Sequence, residues 1–145
     1  MSQFAREDVV RVARGYLRTP YHHGAKLKGV GLDCATLLEA VYNESRALPA
    51  FEVAPYAHQW HLHSDDPLYE KAIVAFGGRE VPDITGIGDI LLYFQGRQYA
   101  HGAIVTAVEP LRILHAFAPA KCVIEGLEAE FALLMRARRK IFTIW

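Results

Sequence analysis

The sequence predicts an α+β domain, with N-terminal helices packed on an antiparallel β-sheet of about five strands. Three observations carry this. The first half of the chain holds apolar stripes at helical spacing, whereas from residue 87 onward short apolar runs alternate with turn residues. Helices that precede a run of closely spaced strands give an α+β arrangement, because such strands are joined by hairpins. A length of 145 residues suits one domain, residues 1–145, with a sizeable core.

Taken in order, Glu7 to Leu17 reads as the first helix, with Val9, Val10, Val12, Ala13, Tyr16 and Leu17 on its apolar side. Thr19-Pro20 ends it, since the residue before a proline avoids the helical region. A loop with Gly24, Gly29 and Gly31 leads to a second helix, from Cys34 to about Arg46. Asp33 is its N-cap, and Leu37, Leu38 and Val41 form its stripe. Residues 48–66 form an irregular insert, a candidate lid or partner surface. Asp66-Pro67 then reads as an N-cap with proline at the first helical position, before a stripe of Leu68, Ala72, Ile73 and Phe76 that stops at Gly77-Gly78. The strands are expected at Ile90–Phe94, His101–Val108, Leu111–Phe117, Lys121–Glu125 and Lys140–Trp145, with turns at Gln95-Gly96-Arg97-Gln98 and Glu109-Pro110.

Composition narrows the function classes. Sixteen basic side chains balance sixteen acidic ones, so no net charge steers the chain to nucleic acid or an anionic membrane. The cluster Arg136, Arg138, Arg139 and Lys140 reads as the solvated end of a helix beside a strand. No apolar run approaches the roughly 18 residues of a membrane span. The first residues, Met1-Ser2-Gln3-Phe4-Ala5-Arg6-Glu7-Asp8, lack the apolar core of a secretion signal, so synthesis in the cytoplasm is expected. Two cysteines make no disulfide framework, and both are expected as free thiols.

Cys34 is the residue with chemical promise. The first helical turn presents unpaired N–H groups and the positive end of the macrodipole, which favour a thiolate. The alternative is a small buried side chain, the usual fate of a free cysteine. His101 opens an expected strand and His115 lies on the next. Adjacent antiparallel strands bring such residues to neighbouring positions on one face, and Gly102 leaves room for close approach by a helix or a substrate backbone. A cysteine hydrolase needs this set: a nucleophile, an imidazole that takes and returns its proton, and a group that orients the imidazole. A zinc site of Cys34, His101 and His115 is a second use of the same residues. His58, His61 and His63 also have ligand-like spacing but complete no metal motif, and read as an exposed loop packed by Trp60. Cys122 alternates with Val123 and Ile124 as a packing residue. No metal and no cofactor is expected.

The ordered pieces Thr19-Pro20-Tyr21 with Gly24, Gly31-Leu32-Asp33-Cys34, Gly88-Asp89-Ile90-Leu91, His101-Gly102-Ala103-Ile104 and Leu114-His115-Ala116 span about two thirds of the chain. In this order they resemble the NlpC-type cell-wall cysteine peptidases, which have a papain-like fold. The resemblance implies Cys34 as nucleophile, His101 as general base and then acid, and His115 as the residue that orients His101. It places Tyr21 beside the nucleophile, where it and the Cys34 backbone N–H would hold the oxyanion; a half-buried loop tyrosine is the other reading. Asp33 caps the helix and Asp89 shapes a turn. The implied substrate is the peptidoglycan stem peptide, cut between D-γ-glutamate and a diamino acid.

Ala35-Thr36 stand where the family usually has Ser-Gly, and His22-His23-Gly24-Ala25 replace an aromatic-Gly-Gly. These departures touch the substrate side, so His22, His23 and Trp60 are the candidate substrate-binding residues. The insert around Trp60-His61-Leu62-His63 resembles the phage and prophage branch, whose members sit in tails or gene-transfer particles. That branch implies other tail proteins as partners and delivery to the cell wall by the particle. Two alternatives stand beside the peptidase: a non-catalytic tail-tip component, and an acyl hydrolase or transferase using the same thiol chemistry on another substrate.

Overall fold

The computed structural model of the protein describes residues 3–45 and 66–145. Helix α1 spans Gln3–Arg14, so it begins and ends a few residues before the stretch its apolar pattern marks. Val9, Val12 and Ala13 bury its inner side, with Tyr16 in the turn that follows. A two-stranded hairpin, β1 (Lys26–Leu27) and β2 (Gly31–Leu32), precedes the second helix. Strands of two residues carry no periodicity to read, so the sequence showed only a glycine-rich loop there.

Helix α2 (Cys34–Glu44) starts as the residues dictate. Asp33 is extended, and its Oδ1 accepts from the backbone N–H of Ala35 at 3.0 Å and of Thr36 at 2.9 Å. The Asp33 N–H donates in return to Thr36 Oγ1 at 2.9 Å, which closes a capping box. Leu37, Leu38, Val41 and Tyr42 then pack α2 against α1 and the sheet.

Helix α3 (Leu68–Ala75) departs from the expected start. Pro67, not Asp66, is the boundary residue, with φ −78° and ψ 68° and no side-chain cap; the Asp66 carboxylate instead pairs with Lys71. The buried side is Tyr69 and Ile73, a stripe turned by one residue from the one that Leu68 and Ala72 suggest. The helix stops where expected, at Gly77, whose φ is 108°.

Six strands, not about five, make the main sheet: β3 (Arg79–Val81), β4 (Ile90–Gln95), β5 (Gln98–Ala107), β6 (Arg112–Phe117), β7 (Cys122–Leu127) and β8 (Arg139–Thr143). Their order is β3-β8-β4-β5-β6-β7 and every neighbouring pair is antiparallel. The additional strand is a three-residue edge with a polar sequence, which has no strand signature of its own. Helix α4 (Ala132–Met135) precedes β8, and the basic cluster runs from the end of that helix into the strand, Arg139 and Lys140 being the first two residues of β8. Arg138 there covers the Phe94 ring and Arg139 pairs with Glu128.

Both faces of the sheet are covered. Ile90, Leu92, Ile104, Leu114, Ala116 and Phe142 face the helices. Leu91, Tyr93, Ala103, Val105 and Ile113 form a second cluster with Leu134, flanked by Phe117 and Phe131. This explains why β4 to β6 read as continuous apolar runs, without polar alternation. His58, Trp60, His61, His63 and nearly all of the expected insert at 48–66 lie outside the described residues.

Candidate active site

Cys34 is the first residue of α2, and its thiol lies against the backbone of β5. Sγ donates to the carbonyl oxygen of Ala100 at 3.4 Å, and the N–H of Gly102 also faces the sulfur. His101 stands between these two contacts. β5 begins at Gln98, three residues earlier than expected, and the register shift beside Tyr93 and Phe94 falls at this point. His101 is therefore an interior strand residue next to an irregularity, a common way of aiming a functional side chain.

His101 and His115 meet as the strand pairing predicts. Nε2 of His101 lies 2.7 Å from Nδ1 of His115. His101 is 6% exposed and His115 fully buried. The His115 ring stacks on Phe117 at 4.7 Å between centroids and meets Phe131 edge-on at 4.6 Å. Its Nε2 is buried with no hydrogen-bond partner. The two nitrogens are at hydrogen-bonding distance, closer than the roughly 3.3 Å that two imidazoles on one tetrahedral zinc would keep. Among the described residues no group of three or more His, Cys, Asp or Glu side chains is arranged to hold a metal ion.

The electrostatics differ from what the helix start implies. Burial, with the Asp33 carboxylate as a further cause, pushes the Cys34 thiol up to about 12; the N–H groups of Gly102 and Cys34 and the hydroxyl of Tyr69 act the other way and are outweighed. The expectation that helix position alone eases ionisation is thus corrected: desolvation of the sulfur is the larger effect. Burial likewise lowers His101 to about 4. Burial, and then His101 itself, hold His115 lower still. These shifts all favour a thiol beside two neutral imidazoles at neutral pH.

The surroundings hold Cys34 in place. Asp33 Oδ2 accepts from the Gly24 N–H at 2.7 Å and lies 3.8 Å from His23 Nδ1, so one carboxylate both caps α2 and fastens the 22–25 loop. His22 and His23 are exposed on that loop. Tyr21 is half-buried and, like Cys34, packs against the main core cluster. Burial, then the Cys34 and Asp33 charges, keep its phenol protonated. Asp89 is fully buried in the turn before β4, where it accepts from the N–H of Thr85 at 2.6 Å and of Gly86 at 3.2 Å and pairs with Arg6 at 3.3 Å, the turn-shaping role expected of it. Cys122 is a free thiol, as is Cys34.

Tyr69 is the site residue that the sequence did not single out. Its hydroxyl donates to the Cys34 carbonyl at 2.9 Å and fills the space above Gly102, where a Cβ would come within 2.3 Å of the phenol oxygen. The close approach expected at Gly102 is therefore made by α3. The spacing of Tyr69, Ile73 and Phe76, at i, i+4 and i+7, is the signal that would have placed Tyr69 on the buried side.

Fold and site together define a papain-like α+β domain with a helix-start cysteine set against a histidine pair. Solved structures similar to it include the NlpC/p60 domain of the peptidoglycan hydrolase SagA, at 21% identity and a TM-score of 0.62 over 94% of this chain and 97% of that one. An N-acetylmuramoyl-L-alanine amidase from Bacteroides uniformis matches at 13% identity and TM-score 0.65 over 97% and 99%. NlpC1 from Trichomonas vaginalis matches at 14% and 0.65 over 99% of this chain and 46% of that one. The sequence matches no protein-family model and no curated protein. At these identities the likeness establishes the NlpC/p60 fold.

Proposed function

We propose that the protein is a cysteine hydrolase that cuts an amide bond in peptidoglycan stem peptides, between D-γ-glutamate and a diamino acid. The observation that carries this is the buried His101–His115 hydrogen bond beside a helix-start cysteine, in the fold of proteins described as peptidoglycan hydrolases and amidases. His115 occupies Nε2 of His101, which leaves Nδ1 to take the proton of Cys34. That protonation pattern requires His101 to donate from Nε2 to His115 Nδ1, so His115 carries its own proton on the unpartnered Nε2, inside the aromatic enclosure of Phe117 and Phe131.

In the reaction the thiol turns from Ala100 O to His101. As the S–H bond breaks, its proton passes to Nδ1 and the sulfur adds to the amide carbonyl. The Cys34 N–H and the Tyr21 hydroxyl hold the oxyanion. Collapse breaks the C–N bond and His101 protonates the leaving amine. Water, deprotonated by His101, then hydrolyses the thioester and returns the thiol. His22, His23 and Trp60 are assigned to the substrate side. Delivery by a phage-like tail, with other tail proteins as partners, completes the proposal.

The test is digestion of purified sacculi with wild-type protein and Cys34→Ala, followed by mass spectrometry of the released fragments. Wild type is expected to expose new amino groups on the diamino acid, and the variant to release nothing while keeping its circular dichroism. Fragments cut at the muramoyl–alanine bond would move the assignment to an amidase. Equal release of fragments by both proteins would overturn the role of Cys34, and release by neither would favour a non-catalytic tail component.

A further inference from the structure

The mechanism leaves one buried polar group at the nucleophile unused. Tyr69 is 7% exposed, its ring rests with Leu38 over Gly102, and its hydroxyl is fixed on the Cys34 carbonyl at 2.9 Å. A phenol has one proton to give and rotates freely about its C–O bond. Here two acceptors of the same residue lie within its reach: the carbonyl oxygen of Cys34 and, when ionised, its sulfur.

We propose that Tyr69 is a further catalytic residue, whose hydroxyl turns from the Cys34 carbonyl to the Cys34 sulfur as the thiol gives up its proton. The inference rests on Cys34 being the nucleophile and deepens that assignment. It balances simply: the thiol proton goes to His101 Nδ1, the Tyr69 proton stays on its own oxygen, and only its acceptor changes. The need for such a donor is plain from the neighbours of the sulfur. Asp33 faces it with a negative charge, partial burial leaves it little water, and His101 is neutral until it takes the proton. Tyr21 is the other titratable group beside the sulfur, and the mechanism commits its hydroxyl to the oxyanion. The Gly102 N–H and the Cys34 N–H are fixed donors; Tyr69 is the one that moves. A hydrogen bond to an ionised acceptor is roughly twice as strong as one to a neutral acceptor, which drives the switch. Gly102 has a second purpose on this account, since any side chain there would evict the phenol.

The experiment measures the rate of Cys34 alkylation by iodoacetamide between about pH 6 and 10, with Cys122→Ser in every protein so that one thiol reports. Below its midpoint the rate tracks the thiolate fraction. Tyr69→Phe is expected to lower the rate at each pH by about tenfold, the equivalent of one unit in the thiol midpoint. A fluorinated tyrosine installed at position 69, a stronger donor of the same shape, is expected to raise it. This second substitution keeps the fold intact and decides the matter even if Tyr69→Phe unfolds. Rates unchanged in both variants would overturn the proposal, as would a Cys34 that forms no adduct in wild type. Alkylation needs no peptidoglycan, so a Tyr69 effect in a protein that releases nothing from sacculi would refute the substrate assignment and leave this inference standing.

Discussion

Acid should destabilise this protein through two buried imidazoles, and the size of the effect follows from their position. Burial is the first cause that holds both His101 and His115 well below 6.5 in the folded state, His101 at about 4. An unfolded chain protonates both near 6.5, so between that value and 4 the unfolded state binds more protons than the folded one. Stability therefore rises with pH across this window and is lost as pH falls through it. Between pH 7 and 5 each imidazole stays neutral in the fold, so the cost depends only on the distance from 6.5. It comes to about 2 kcal/mol per histidine, or about 4 kcal/mol for the pair. Urea denaturation at the two pH values reads it directly, and the midpoint should fall by about 2 M at an m-value of about 2 kcal/mol/M. Glu125 adds little in this window: burial acts to raise it, but the hydrogen bonds from Arg14 and Thr106 and the charges of Arg14 and Arg112 together outweigh burial, so this group takes up its proton only further into acid. His115→Asn, which keeps an acceptor for His101 and does not titrate, should remove about half of the loss. A wild type equally stable at pH 7 and 5, or a variant with the full wild-type loss, would refute the reasoning.

Three further outcomes are expected. Asp33→Asn keeps a good N-cap acceptor and removes the charge beside the sulfur, so Cys34 alkylation at fixed pH should rise about threefold, for half a unit in the thiol midpoint; an unchanged rate would show that Asp33 does not act on the thiol. Gly102→Ala puts a methyl 2.3 Å from the Tyr69 oxygen and 3.2 Å from Leu38 Cδ1, an overpacking that should cost about 1–3 kcal/mol in urea denaturation and slow Cys34 alkylation with it. Asp89→Ala leaves Arg6, whose side chain is only 13% exposed, without its partner and frees the N–H groups of Thr85 and Gly86. The loss should reach about 3–5 kcal/mol, and a variant that unfolds at the wild-type urea concentration would contradict it.

The parts of the molecule legible in the sequence are those governed by local chemistry. Asp33 announced the start of α2 because capping is a contact within four residues, and the structure makes every bond of it. His101 and His115 were expected as neighbours because a short turn between adjacent strands leaves little choice of register, and they meet at 2.7 Å. What stayed hidden depends on tertiary contacts. β3 is a strand because β8 offers it an edge, with Val81 opposite Ile141; its own residues, Arg79 and Glu80, have no strand preference. Asp66-Pro67 has the composition of a helix start, yet Lys71 draws the carboxylate away from the capping position. Tyr69 comes to Cys34 across 35 residues, a distance over which no pattern in the chain reports.

The ionisation of Cys34 shows most clearly where local rules give way. Helix position predicts an easily formed thiolate, and the Cys34 N–H does act in that direction. But Cys34 is partly buried between α2, α3 and β5, which disfavours a thiolate, and Asp33, the residue that builds the helix start, sets a negative charge beside it. The cap that positions Cys34 thus also adds to what burial does against its ionisation. A site built this way does not store an imidazolium–thiolate pair. Burial raises the thiol and lowers His101, so both shifts oppose charge separation at rest; on the proposed mechanism the proton moves as the sulfur–carbon bond forms. His115 fits such a site better than a carboxylate would. An anion in the enclosure of Phe117 and Phe131 would favour an imidazolium at rest, whereas a neutral imidazole accepts one hydrogen bond from His101 and adds no charge to the enclosure.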